Sequence, residues 1–248
     1  MTRYMDLKTV SSFALTHPSS PPRKHRQTPA SWLTRGLMTC LVALALSGVA
    51  ATNQASASPG DINAATVSLF TPAAVESDID TFWRQLFASN ALAYSTPAVY
   101  PLSEPVNSGC GYVTPDQYLA FYCSADFAVY WSVPGYDAAY ATAGEAAWVN
   151  VMAHEWSHHV QLLLGLHTPW RQANDNVGLE LEATCMGGAY VGSARDRGLV
   201  DDVMIDSMVG MFIGSAAHGS TAQVQAAFLG GLDAGIAACG MDVVLVSA

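Results

Sequence analysis

Positive charge is scarce in this sequence once its first 57 residues are set aside. The 248-residue chain has ten Lys and Arg against twenty Asp and Glu, and six of the ten basic residues lie before residue 58. The remainder has four arginines, no lysine and nineteen acidic residues, which gives a formal net charge of −15. Such a surface repels phosphate groups, so the composition argues against nucleic-acid partners and anionic membrane surfaces.

The chain also lacks an apolar run long enough to cross a membrane comfortably. The run Leu37–Ala51 is shorter than the about 20 residues that a transmembrane helix needs. It follows a basic stretch and precedes Ala55-Ser56-Ala57, an order typical of a secretory signal peptide cleaved after Ala57. We therefore expect residues 1–57 to be a signal peptide with a basic leader and residues 58–248 to be one secreted domain. An uncleaved N-terminal anchor, with the domain outside the cytoplasm, is the alternative.

No C-x-x-C pair occurs, which disfavours a zinc cluster of cysteines. Four cysteines follow residue 57, and an even number behind an export signal predicts two disulfides. Cys110 and Cys123 are close in sequence and flank a turn-rich stretch, so we predict that they pair. Cys185–Cys239 then follows by elimination, with buried free thiols as the alternative.

The spacing of apolar residues predicts strands early in the domain and helices later. The predicted strands are Tyr118–Cys123 and Phe127–Val133, the second ended by Pro134 and Gly135. The predicted helices are 76–93 with Ser77 as N-cap, 145–164, 176–194, 200–213 and 221–234. The stretch 97–115 has the composition of loop and short strand. This order predicts an α+β domain with a small mixed sheet followed by a helical half.

The second predicted helix, 145–164, contains the motif H-E-x-x-H at His154, Glu155 and His158. Residues four apart lie on one helix face, so both imidazoles can bind the same zinc ion. Glu155 can act as general base toward a zinc-activated water and then protonate the leaving amine. The pattern therefore predicts a zinc-dependent hydrolase.

A catalytic zinc needs a third protein ligand and an open position. The longer motif with a third histidine is absent, because residue 164 is leucine. The next predicted helix offers Glu180 and Glu182, which point about 200° apart around a helix and cannot both face the ion. We predict Glu180 as the ligand, with Glu182 as the alternative.

Several segments together resemble the bacterial putative neutral zinc metallopeptidase family. Residues 151–161, VMAHEWSHHVQ, are similar to its active-site helix, and 179–185, LELEATC, to its second motif, which typically reads LELQADC. His218-Gly-Ser220 with Gln223 and Phe228 resembles its third motif. Upstream, Gly109-Cys110-Gly111 and FYCSAD at 121–126 match its C-G and F-Y-C-x-x-D elements. The similarity covers roughly residues 78–235.

The resemblance implies a zincin-like fold with His154, His158 and Glu180 as zinc ligands and Glu155 as base. It also implies that Phe127–Val133 is the sheet edge strand beside the cleft, where a peptide could add as a strand. Two positions depart from the family pattern. Ser157 replaces a common glycine, and Thr184 stands where the family usually has an aspartate that orients a ligating histidine. Losing such a partner weakens metal binding or activity by about 10–100-fold, although a hydroxyl can also accept an imidazole N–H.

Other polar residues are weaker candidates. His218 could donate a hydrogen bond to the oxyanion, or it could cap a helix or fix a loop. His159 points away from the motif face, which favours packing or a surface position, and His167 is expected to be exposed. Three tyrosines are possible transition-state donors but better suited to the core or rim: Tyr130, Tyr136 and Tyr140.

The sequence therefore predicts a secreted zinc metallopeptidase that acts on peptides or proteins, without nucleic-acid partners or stable membrane association after signal cleavage. The alternative, supported by Thr184, is a catalytically weak or inactive zincin that binds peptides outside the cell. Hydrolysis of a non-peptide amide is a third option. Side-chain specificity, regulation and oligomeric state are left open by the sequence.

Overall fold

The computed structural model describes residues 71–240. The predicted leader, 1–57, lies outside the described residues, as do 58–70 and 241–248. Within 71–240, one helix and five short strands precede a helical half, so the predicted α+β architecture is confirmed. No helix in this range is long and apolar enough to span a membrane.

The helical half is larger than predicted. The strands are β1 (Ala98–Leu102), β2 (Val106–Ser108), β3 (Gly111–Val113), β4 (Ala120–Cys123) and β5 (Ala128–Ser132). The helices are α1 (Pro72–Ser89), α2 (Val133–Ala143), α3 (Glu145–Leu163), α4 (Pro169–Asn174), α5 (Asn176–Asp196), α6 (Asp202–Met211) and α7 (Thr221–Ala234), followed by a 3-10 turn, Gly235–Cys239. The predictions of β4, β5, α3, α5, α6 and α7 are confirmed within a few residues, whereas α2 and α4 were not predicted.

Proline lies in the first turn of two helices, one whose start was predicted elsewhere and one that was not predicted. Helix α1 begins at Pro72 with Thr71 as N-cap, so the prediction of Ser77 is wrong; the Thr71 side chain accepts from the amide of Ala74 at 3.2 Å. Proline fits the first helical turn because the amide it lacks would have no partner there. In α2 the same chemistry places Pro134 in the first turn, with Ser132 as the cap.

The main sheet has three strands in the order β1–β5–β4, with β1 parallel and β4 antiparallel to β5. Strand β5 is therefore central, and the prediction that 127–133 forms the sheet edge is wrong. The extra strand β1 comes from the proline-rich stretch, and Pro101 within it is tolerated because β1 is an edge strand. The edge strand that packs against α3 is β4. Strands β2 and β3 form a separate hairpin.

Helix α3 is the centre of the domain. Every residue from Ala146 to Gln161 is buried, including all the polar residues of the motif. Helix α3 packs against α1, α2, α5, α6 and strand β4. A helix surrounded on all sides usually has apolar residues all round. Histidine and glutamate at its midpoint therefore sit in a dry interior, where their interactions are strong and costly to lose.

Helix α5 is fixed between α3 and α7 by small residues. A side chain at Gly188 would come within 2.1 Å of the Phe228 carbonyl oxygen of α7, and one at Gly231 within 1.9 Å of the Cys185 carbonyl oxygen. The two helix backbones are therefore in near contact. The disulfide Cys185–Cys239 adds a covalent link from α5 to the 3-10 turn. Both predicted disulfides are confirmed, the other being Cys110–Cys123.

Candidate metal centre

Three side chains from two neighbouring helices meet at one buried point. His154 and His158 lie one turn apart on α3, and Glu180 lies on α5. Glu180 Oε2 is 3.2 Å from Nε2 of His154 and 3.2 Å from Nε2 of His158, and the two nitrogens are 3.1 Å apart. The structure thus brings together the three residues predicted as zinc ligands.

The spacing of these atoms suits zinc. A tetrahedral zinc ion lies about 2.0–2.1 Å from each nitrogen or oxygen ligand, which places the ligand atoms about 3.3 Å apart. The observed separations of 3.1–3.2 Å agree with that value. Glu180 Oε1 has no hydrogen-bond partner among the described residues, although it is buried. Two imidazole nitrogens and one carboxylate are also a donor set that catalytic zinc sites use.

The protonation states of the three groups depend on one another. Burial opposes charge on His158, but the carboxylate of Glu180 outweighs it and raises the His158 pKa to about 9. Burial lowers the pKa of His154 to about 4. Burial also works to raise the Glu180 pKa, yet the charge of His158 and hydrogen bonds from both histidines bring it well below its usual range. Glu180 thus favours a proton on His158, and a metal cation bound at this point would take the place of that proton.

His158 is oriented by the amide of Gln161. The Gln161 Nε2 group donates to the Leu179 carbonyl and to Glu182 Oε2, each at 2.8 Å. The amide oxygen is therefore the atom that faces Nδ1 of His158, 2.9 Å away. Because that oxygen can only accept, Nδ1 keeps its proton and Nε2 is left with a lone pair for a metal.

His154 is oriented by Thr184, the position that departs from the family pattern. The hydroxyl oxygen lies 3.2 Å from Nδ1 of His154, within reach to accept its proton. The Nε2 lone pair is then directed toward the same point as that of His158. The threonine thus takes the place of the expected aspartate, with a longer and uncharged contact.

Glu182, the alternative ligand, faces away from the cluster. Its carboxylate accepts from Gln161 and from Nη1 of Arg171, both at 2.8 Å. The prediction of Glu180 rather than Glu182 as the candidate ligand agrees with this arrangement. The role of Gln161 was not predicted, although its position three residues after His158 places both on one helix face.

Glu155 is fully buried, and neither carboxylate oxygen has a hydrogen-bond partner of ordinary geometry among the described residues. Burial raises its pKa to about 8, against the opposing charge of His158 and the backbone of Tyr122 in β4. A buried acid that lacks well-formed hydrogen bonds is costly to a fold. Such a group next to three metal-ligand atoms indicates a chemical role.

Comparison with known sequences identifies the family. The model of the family described as "Putative neutral zinc metallopeptidase" matches residues 36–208, more than half of the chain. The chain belongs to this family. The matched range includes His154, Glu155, His158 and Glu180 and ends before His218.

The curated proteins with similar sequences include two that are named as uncharacterized proteins. Uncharacterized protein YpfJ of Escherichia coli (strain K12) is 31% identical over 159 residues, which cover 59% of this chain and 54% of the relative. Uncharacterized protein Rv2575 of Mycobacterium tuberculosis (strain H37Rv) is 29% identical over 126 residues, 47% of this chain and 41% of the relative. This metallopeptidase-family chain thus spans about half the length of the curated relatives it matches. No solved structure shows a significant match.

The remaining histidines differ from expectation in one case. His167 was predicted to be exposed but is buried, with its ring 5.8 Å from the ring of His158. Packing of the loop between α3 and α4 buries it, which local sequence does not reveal. His159 is a packing residue that contacts the Tyr122 hydroxyl at 2.9 Å and the Ser95 carbonyl at 2.7 Å.

The three candidate tyrosines occupy the core or its rim. Tyr130 donates to Asp126 at 2.8 Å, Tyr136 packs edge-on against Trp148, and Tyr140 is exposed. His218 instead reaches the candidate ligand group formed by His154, His158 and Glu180, with its Nε2 atom 3.3 Å from Glu180 Oε2. His154, Glu180 and His218 offer ligand atoms that all lie within 4.8 Å of one another.

Proposed function

We propose that this family member is a secreted zinc metallopeptidase that hydrolyses peptide bonds, with His154, His158 and Glu180 holding the metal and Glu155 as general base. The observation that supports it is the meeting of three ligand atoms at tetrahedral spacing beside a buried carboxylate without hydrogen-bond partners of ordinary geometry among the described residues. Membership in a zinc metallopeptidase family supports the same reaction class.

Each side chain has a part in the reaction. Zinc held at this site would supply a Lewis acid that lowers the pKa of water and polarises the peptide carbonyl. Glu155 would take the proton of the attacking water and pass it to the leaving amine. Its pKa of about 8, raised by burial, suits a group that accepts and then releases a proton near neutral pH.

Charge and cysteine chemistry support the proposed substrate class and location. The nineteen acidic residues after position 57 favour peptide or protein substrates over nucleic acids. The two disulfides suit an oxidising compartment, in agreement with export by the leader. We propose that the processed protein acts outside the cell without stable membrane association.

The test is Glu155→Gln in the purified protein, assayed for zinc content and for cleavage of casein or quenched peptides. The substitution removes the base and leaves the ligands in place, so zinc content should stay at one per chain while the rate falls by at least about 10³-fold. Chelator should abolish wild-type cleavage. Glu145→Gln, at the start of the same helix, is the control and should retain activity.

Full activity in Glu155→Gln would contradict this mechanism. A zinc-loaded wild-type protein that cleaves no unstructured substrate would instead favour the alternative, a peptide-binding zincin. The specific observation behind that alternative is the uncharged 3.2 Å contact between Thr184 and His154.

A further inference from the structure

The loop between α6 and α7 holds His218 in a fixed position. Ser215 and Gly219 pair as an antiparallel bridge, with N–O distances of 2.8 and 2.9 Å. Asn176 at the start of α5 donates to the Ala217 carbonyl at 3.1 Å. Gly219 adopts φ of 87°, which favours glycine at this position. The loop is therefore tied to itself and to the helix that contributes Glu180.

This loop directs the His218 ring toward the candidate metal ligands His154, His158 and Glu180. The side chain is buried, and Nε2 lies 3.3 Å from Oε2 of Glu180, the same oxygen that both motif histidines approach. The ring centroid is 6.0 Å from that of His154. At this distance Nε2 could act either as a fourth metal ligand or as a hydrogen-bond donor. The position of its proton decides between them.

The Ser215 hydroxyl determines that proton. A serine oxygen has two acceptor sites and one hydrogen to donate. Two backbone amides use the acceptor sites, those of Ala217 at 3.3 Å and His218 at 3.1 Å. The hydroxyl hydrogen is then left for Nδ1 of His218, 2.9 Å away. In a neutral imidazole whose Nδ1 accepts, the proton lies on Nε2.

His218 and His158 therefore do not have the same tautomer. In His158 the Nδ1 atom faces an amide oxygen that can only accept, so Nε2 has a lone pair, and in His154 it faces a hydroxyl that is able to accept in the same way. In His218 the Nδ1 atom receives a proton from Ser215, so Nε2–H points into the cluster. A nitrogen that bears a proton cannot bind a metal, but it can donate to an oxygen that becomes negative.

We propose that His218 is the hydrogen-bond donor to the oxyanion of the hydrolytic transition state, with Ser215 as the positioning residue that fixes its tautomer, and that it is not a fourth metal ligand. This inference rests on the proposed peptidase function. Water attack forms the new C–O bond while the carbonyl π bond breaks, which places negative charge on the carbonyl oxygen. His218 donates to that oxygen and keeps its proton, so no net transfer occurs.

The first experiment measures metal binding, which needs no activity. Full-length protein and its His218→Ala variant are titrated with zinc against a competing chelator and loaded with Co²⁺ for visible spectroscopy. Because a hydrogen-bond donor does not bind the metal, we expect the His218→Ala variant to have a zinc affinity within about threefold of wild type and an unchanged cobalt spectrum. A loss of about 100-fold in affinity, or a changed cobalt spectrum, would identify a ligand and overturn the proposal.

The second experiment separates kcat from KM. Removing one oxyanion donor lowers kcat by about 10²–10³-fold, with KM little changed. His218→Gln, which keeps an N–H donor, should recover part of that loss. Ser215→Ala should lower kcat by about tenfold and Ser215→Thr should restore it, because only the hydroxyl is needed. Ser207→Ala, which removes a serine hydroxyl from α6, is the control.

A kcat within about threefold of wild type in His218→Ala would overturn the donor role. If the wild-type protein cleaves no peptide, the proposed function fails. The donor role of His218 is then tested by binding of a phosphinic peptide, whose tetrahedral anionic group resembles the transition state. Weaker binding of that probe by at least about tenfold in His218→Ala, with unchanged cobalt spectrum, would still support the donor. Equal binding, or no binding to wild type, would overturn it.

Discussion

The two motif histidines occupy equivalent positions on one helix face, yet the structure supports them unequally. His158 donates to the Gln161 amide at 2.9 Å, and that amide is itself held by Glu182 and Arg171. The Nδ1 atom of His154 faces the hydroxyl of Thr184 at 3.2 Å. The group that orients His158 at this candidate site is thus connected to an ion pair, whereas the group that faces Nδ1 of His154 is a neutral side chain.

This difference indicates where the site is most vulnerable. Hydrogen bonds that involve charged groups are shorter and about twice as strong as neutral ones. Partners of this kind orient the imidazole and raise its basicity, and their loss costs about 10–100-fold in metal affinity or activity. We therefore expect zinc binding to depend strongly on Gln161, less on Glu182, and to be open to improvement at Thr184.

The largest effect is expected from Gln161→Leu. The change keeps the side chain similar in size but leaves the buried Nδ1–H of His158 and the Leu179 carbonyl without their partner. We expect zinc affinity to fall by about 100-fold and the free energy of unfolding to fall by about 1–3 kcal/mol. Chelator competition and thermal unfolding measure the two effects.

Gln85→Leu, on the exposed surface of α1, is the matched control and should change neither quantity. Unaltered zinc affinity in Gln161→Leu would show that His158 keeps its orientation without the amide. The contacts from His158 through Gln161 to Glu182 and Arg171 would then contribute nothing to zinc binding.

A smaller loss is expected from Glu182→Gln. The new amide can still accept from Gln161 but no longer pairs with the charge of Arg171, so the support of His158 becomes neutral. Because the Arg171 side chain is about one-fifth exposed, water screens part of this interaction. Zinc affinity should fall by about tenfold in the same competition assay.

The control for this variant is Asp175→Asn, which removes the other carboxylate beside Arg171, 3.5 Å from Nη2, with no link to His158. If Asp175→Asn weakened zinc binding as much as Glu182→Gln, the effect would come from Arg171 itself. The contacts that link Arg171 to His158 through Glu182 and Gln161 would then not explain the change in zinc affinity.

The sequence was most informative where chemistry depends on local spacing. The pairing of His154 and His158 on one face of α3 follows from their four-residue interval, and the angle between Glu180 and Glu182 on α5 implies that only one of them can face the same point. Helix α7 was predicted with its observed bounds, and the structure shows a Ser220–Gln223 capping box at its start. Such features need only a few neighbouring residues.

Features that depend on distant contacts were not predicted. Strand β1 exists because Ala98–Leu102 pairs with β5, whose first residue follows about thirty positions later. This pairing makes β5 the central strand and leaves β1 and β4 as the edges of the sheet. His167 is buried by the packing of its loop onto α3. The tautomer of His218 depends on three hydrogen bonds at one serine, a relation that no spacing rule contains.

The smallest effect is expected from a change that gives His154 a charged hydrogen-bond partner, so that its support resembles that of His158. Thr184→Asp would put a carboxylate opposite Nδ1 of His154, where a charge-assisted bond should raise zinc affinity by about three- to tenfold. Thr184→Val, of nearly equal size, removes the acceptor and should lower affinity. Chelator competition on both variants decides the matter. If Thr184→Asp weakened binding instead, repulsion from Glu180, one turn earlier on α5, would outweigh the new bond, and the threonine would be the better match to this buried site.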